Sequence, residues 1–144
     1  MIELEVKIVG ADESHNFVVL LGEKGGKKVL PIRVGYFEAQ AIALPLQGET
    51  PPRPLTHDLL LKCAEETGTV IDKIVITEIT QEGTYIAEIY MTHDQQTKII
   101  DARPSDAIAL ALRCGAKIYM RPQLIEFTED MENIFPDCKG EDLN

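Results

Sequence analysis

The sequence predicts an α+β fold, a single domain of two βββα-like halves whose sheet is largely antiparallel or mixed, with helices packed on it. Three observations carry this. Segments patterned as strands come in threes and each trio leads into a helix, an order that pairs neighbouring strands through short turns. The chain also echoes itself: Lys7-Ile8-Val9 and Lys73-Ile74-Val75 lie 66 residues apart, as do Ala41-Ile42-Ala43-Leu44 and Ala107-Ile108-Ala109-Leu110. Finally, 144 residues with 44% hydrophobic and 26% charged side chains suffice to bury one core without disulfides or metal. The halves are expected at about 1–48 and 70–115, joined by a proline-rich loop and helix over 49–69. The domain then covers 1–125, and an acidic tail follows over 126–144.

Each element has a local cause. Ile2 to Val9 alternates apolar and polar with period two, the mark of a half-buried strand. After a turn over Asp12 to Asn16, Phe17-Val18-Val19-Leu20-Leu21 is a β-prone apolar run, and Gly22 to Lys27 is a hairpin loop. Lys28 to Val34 returns as a strand whose Pro31 lacks an N–H and so belongs at an edge or bulge. Gly35 opens a turn into a helix from Tyr36 to Leu44, which Pro45 ends or kinks. Four of the eight prolines lie between Pro45 and Pro54, making that loop extended and stiff. Thr56 is expected to cap a helix running to about Thr67, with Asp58 in its first turn and Gly68 beyond its end.

Val70 to Thr80, Tyr85 to Thr92 and Thr97 to Ala102 read as the second trio of strands. The helix that follows is marked at both ends. Pro104 suits its first position, Asp106 sets a negative charge at its positive end, Arg113 sits in its last turn and Gly115 supplies a left-handed stop. Ala107 to Leu112 is apolar throughout, so this helix is expected to be buried on most sides. Lys117 to Met120 is a short last strand; Leu124 to Phe127 and Met131 to Phe135 are apolar enough to dock a short helix, and Asp137 to Asn144 is expected to be mobile.

Composition limits the function classes. No apolar run approaches the roughly 20 residues of a membrane span. The strand-like N-terminus shows no secretion signal, and Cys63, Cys114 and Cys138 are odd in number without ligand spacing. A cytoplasmic protein with free thiols is therefore expected, Cys63 and Cys114 acting as small core fillers. The net charge of −10 divides into −6 over 126–144 (seven acids, one base) and −4 over 1–125 (seventeen acids, thirteen bases). Such a body argues against tight non-specific duplex binding, though a local basic patch or a bound cation would still admit a phosphate.

Three ordered motifs span Leu30 to Arg113. They are Leu30-Pro31-Ile32-Arg33-Val34-Gly35 with Glu38-Ala39 and Ala41-Ile42 following, Arg53-Pro54-Leu55-Thr56-His57-Asp58-Leu59-Leu60, and Arg103-Pro104-Ser105-Asp106-Ala107-Ile108-Ala109-Leu110-Ala111. Together they resemble the bifunctional nuclease (DNase/RNase) domain family. The resemblance implies an activity on DNA or RNA.

The residues themselves leave two readings open at each position. Asp106 is either a helix-start acid with Arg103 paired to a neighbour such as Asp101, or part of a phosphate site in which Arg103 and free helix N–H groups cradle oxygens beside Ser105. His57 is an exposed helix-start residue, or a general base or metal ligand with Asp58 orienting it or binding metal itself. Arg53 before Pro54 echoes Arg103 before Pro104, two guanidinium groups for one anion or two structural ion pairs. Glu38 is a first-turn acid or a metal-binding or general-base carboxylate.

The expected function is accordingly a nuclease acting on DNA or RNA, with His57, Asp58, Arg53, Arg103, Ser105 and Asp106 as catalytic candidates. Glu38, Asp58 and Asp106 are the candidate ligands of a divalent Mg²⁺ or Mn²⁺ ion. The competing reading is a non-catalytic adaptor that binds an anion or a partner protein. Edge strands and half-buried apolar faces point to a homodimer.

Overall fold

A computed structural model describes residues 1–135; the expectations for Asp137 to Asn144 and for Cys138 lie outside the described residues. The first trio is β1 (Ile2–Ala11), β2 (Phe17–Gly22) and β3 (Lys28–Val34), followed by α1 (Tyr36–Leu46). After the proline loop comes α2 (Thr56–Glu66), then β4 (Val70–Ile79), β5 (Tyr85–His93), β6 (Gln96–Ala102) and α3 (Pro104–Cys114). The described residues end with β7 (Lys117–Met120), a 3₁₀ segment (Pro122–Phe127), β8 (Glu129–Asp130) and the short α4 (Met131–Ile134).

These strands form one mixed sheet in the order β6-β5-β4-β7-β1-β2-β3-β8. Each trio is an antiparallel meander, as short turns require, and the fold is α+β. β7 lies between the meanders, antiparallel to β1 and parallel to β4, and α3 forms part of the crossover that the parallel pairing needs. Pro31 sits where β3 pairs only with β2, since β8 reaches no further than Lys28 and Val29.

The main core lies between one sheet face and the helices. Leu4, Val6, Val19, Leu21, Leu30, Ile32, Ile74 and Ile76 meet Ile42 of α1 and Ala107 to Ala111 of α3. A register shift between Val6 and Ile8 turns the next part of β1 over, because one extra residue exchanges the two faces of a strand. Ile8 thereby joins Val18, Leu20 and Val29 in a second core, covered by Met131, Ile134 and Phe135. β2 is thus buried on both faces, which accounts for its unbroken apolar run. The segment after Leu124 closes that second core from α4.

Several expectations are corrected. α1 continues through Pro45 to Leu46 without ending there. Leu55, not Thr56, occupies the N-cap of α2, its backbone N–H donating to Asp58 Oδ2 at 3.0 Å. Cys63 and Cys114 are free and exposed, not core fillers, because each falls on the outward side of its helix. No described helix is long and apolar enough to cross a membrane.

Candidate functional site

The N-terminal ends of α1, α2 and α3 converge on a cleft of about 1030 Å³. Its walls are mainly apolar, with Leu44 from α1, Leu55, Leu59 and Leu60 around α2, and Ile89 and Ile100 from the sheet. Its ionisable groups are Glu38, His57, Asp101, Arg103 and Asp106, with Gln40 and Thr56 adding neutral polar ones.

Asp106 organises them. Its Oδ1 lies 2.9 Å from His57 Nε2, across 49 positions of sequence. Arg103 Nε donates to Oδ2 at 2.8 Å and Nη2 to Oδ1 at 3.1 Å, a two-point pairing that fixes the guanidinium plane. Arg103 Nη2 also stands 3.5 Å from Glu38 Oε2 on α1. Asp106 therefore spends its charge on side chains rather than on capping α3, where no side-chain cap bond is made. Burial raises the Asp106 pKa, but hydrogen bonds from Arg103 and His57 outweigh it and hold the carboxyl below its ordinary value. The same pairing raises the pKa of Arg103, whose side chain remains 64% exposed at the cleft mouth. The His57 side chain is only 13% exposed.

Asp58 points elsewhere. Arg113 Nε donates to its Oδ1 at 2.7 Å, and Oδ2 accepts the Leu55 N–H. Burial raises its pKa, and these two bonds more than compensate, leaving it lowered. Arg113, seen in the sequence only as a last-turn cation, also donates from Nη1 to the carbonyls of Ala41 and Ala109 at 2.7 and 2.8 Å. A part-buried ion pair 55 positions apart thus ties α2 to α3, with α1 joined through its backbone.

The candidates divide accordingly. Glu38, His57, Arg103 and Asp106 come together; Asp58 is engaged beneath α2 and does not line the cleft. Ser105 is buried in the first turn of α3, and Arg53 is exposed outside the cleft lining, so the two Arg-Pro pairs do not face one anion. Arg103 pairs with Asp106 and Glu38 and not with Asp101. The donor chemistry also fails to fit the expected metal set. Both oxygens of Asp58 and both of Asp106 are already taken by donors. Among the described residues no three His, Cys, Asp or Glu side chains are grouped to hold a metal ion. What the sequence did not reveal was the apolar wall and an aromatic rim at Tyr36 and Phe37, whose exposure no local pattern signals.

The family model described as the bifunctional nuclease domain matches residues 19–132. Uncharacterized proteins from two strains of Mycobacterium tuberculosis are 42% identical over 124 residues, covering 84% of this chain and 73% of theirs. Bifunctional nuclease 1 of Oryza sativa subsp. japonica is 27% identical over 113 residues, 76% of this chain but 34% of the rice protein. Bifunctional nuclease 2 of the same plant is 27% identical over 122 residues, 83% of this chain and 37% of its own length. With a family match that takes in all of the convergent residues, the chain belongs to the bifunctional nuclease domain family.

Proposed function

We propose that the chain hydrolyses phosphodiester bonds of DNA or RNA in this cleft. The observation that carries the reading is Asp106 joining His57 and Arg103, a proton-transfer group and an anion-binding group on one carboxylate. With Nε2–H donated to Asp106, the ring's lone pair lies on Nδ1, which takes the proton of an attacking water. Water oxygen bonds to phosphorus, the bond to the leaving oxygen breaks, and that oxygen receives the proton. Arg103, held on one side by Asp106, uses its remaining N–H groups for the phosphoryl oxygens, where negative charge grows in the transition state. Glu38 steadies Arg103 from α1. A divalent Mg²⁺ or Mn²⁺ ion remains part of the proposal as an accessory only, because the carboxylates as placed do not form an inner ligand set.

The test is incubation of purified protein with single-stranded DNA and RNA, with and without EDTA. Cleavage that disappears in His57→Ala and in Asp106→Asn supports the reading. Equal cleavage in a His57→Ala, Asp106→Ala double variant would assign the activity to a contaminant. The second reading, a non-catalytic anion- or partner-binding module, draws on the net charge of −10 and on the exposed Leu55, Leu59 and Leu60. Binding without cleavage would favour it. A cytoplasmic homodimer is part of the same proposal, its mass measurable by light scattering.

A further inference from the structure

Arg103 and His57 account for a phosphate at one end of the cleft, but not for the aromatic rim beside it. Phe37 precedes Glu38, lines the same cleft and is 76% exposed. Its ring lies edge-to-face with Tyr36, centroids 5.4 Å apart at 70°, and Tyr36 meets Phe17 at 5.4 Å and 62°. Three of the chain's eight Phe and Tyr residues are thereby gathered at the start of α1, with Tyr36 exposed and Phe37 more so. Gln40, on the next turn, also lines the cleft. Its Nε2 donates to Tyr36 Oη at 2.7 Å, leaving its second N–H and its carbonyl oxygen for a ligand.

Charge narrows what the ligand is. The cleft sets Glu38, Asp101 and Asp106 against Arg103 and His57, so a polyanion cannot be held there mainly through its phosphates. A ligand with one anionic group at Arg103 and a flat π-face for Phe37 fits better. An unpaired nucleobase offers such a face together with a hydrogen-bonding edge; a base within a duplex has both faces covered.

We propose that Phe37, with Gln40 steadied by Tyr36, forms a nucleobase subsite. A splayed base of single-stranded DNA or RNA stacks on Phe37 and its edge meets the Gln40 amide, while the adjoining phosphodiester lies at Arg103 and His57. This rests on the reading of the cleft as a nucleic-acid site. Two properties follow. Single strands bind better than duplex, and affinity depends weakly on salt, because few phosphates are neutralised; each neutralised phosphate of a single strand contributes a slope of about −0.7.

The test is fluorescence anisotropy of the full chain with a labelled ten-nucleotide oligothymidylate and with a labelled hairpin duplex. Phe37→Ala is expected to weaken oligothymidylate binding roughly five- to hundred-fold, the loss of one stacked base, and Phe37→Trp to retain it. Strand binding by a wild-type protein that cuts nothing would defeat the hydrolytic reading and support the subsite. Unchanged binding by Phe37→Ala would overturn the subsite whether or not the strand is cut. So would duplex binding as tight as that of the single strand, or a salt slope corresponding to several phosphates. A molar mass halved by Phe37→Ala with DNA binding intact would show that this face covers a second copy, and would also overturn it. No binding of the oligothymidylate at all overturns both readings.

Discussion

Arg113 donates to the carbonyl of Ala41 at 2.7 Å, the oxygen that Pro45, four residues on, leaves without its helical partner. Proline has no N–H, so the α1 ladder is broken at this bond. The guanidinium repairs it from α3 and at the same time binds Asp58 on α2. With a side chain only 7% exposed, Arg113 is a buried tie among all three helices that shape the cleft. This matters most for α2, which has no fully buried residue and is tied to α3 by His57 and Asp58, with Leu61 packed against the main core.

Replacing Arg113 with methionine keeps its apolar stem and removes every one of these bonds. Asp58 then loses its partner and the Ala41 carbonyl its donor, which is expected to cost about 3 kcal/mol. Thermal denaturation should show a midpoint lowered by roughly 6–12 °C. Arg113→Lys should recover only part, since a point charge cannot serve three separated acceptors. A midpoint unchanged in Arg113→Met would show that the tie is not what holds α2.

Acid should loosen the same contact. The folded pKa of Asp58 lies below its unfolded value of about 3.9, so its stabilising contribution is fully present above that value and is lost as pH falls through the folded one. Asp106 contributes in the same direction. Urea unfolding measured from pH 7 down to pH 2 should show stability declining on the acid side. Asp58→Asn should start lower and decline less, and a parallel decline in that variant would remove Asp58 from the explanation.

For hydrolysis, His57→Ala is expected to lower kcat by about 10²–10⁴ with little effect on KM, the signature of a lost proton-transfer group. Asp106→Asn should also lower kcat, because an amide cannot hold the ring and the guanidinium as a carboxylate does. Arg103→Ala should raise KM as well as lower kcat. Steady-state kinetics on a labelled single strand separates these cases; a His57→Ala change confined to KM would place the ring in binding alone.

Gly35 offers a milder probe. Its φ of −76° suits any residue, but a methyl group there would meet Glu38 Oε1. Gly35→Ala should therefore swing Glu38 away from Arg103 while changing stability by no more than about 0.5 kcal/mol. A KM raised a few-fold, less than in Arg103→Ala, is the expected result. A fully active variant would show that Glu38 does not steady the guanidinium.

Much of this was legible where the cause is local. Period-two alternation marked β1, and Pro104, Asp106 and Gly115 marked both ends of α3, whose Gly115 indeed takes a left-handed φ of 76°. Local patterns failed where partners are distant. Nothing near Asp58 in sequence announces Arg113, and first-turn acids look alike whether they meet a cation across the fold or face a cleft. Asp58 and Asp106 both occupy such positions, yet only the second lines the cleft. Helical placement alone also misjudged Cys63 and Cys114, because apolar neighbours along a chain do not say which side of the helix is covered.

β7, made after both meanders, is also what joins them within the sheet, being the sole neighbour that β1 and β4 share in the strand order. A chain interrupted before Lys117 already contains Glu38, His57, Arg103 and Asp106, but its sheet is in two pieces. Glu38 belongs to one piece, Arg103 and Asp106 to the other. A polypeptide growing on the ribosome therefore carries all four cleft side chains before the strand that joins the two meanders has been made.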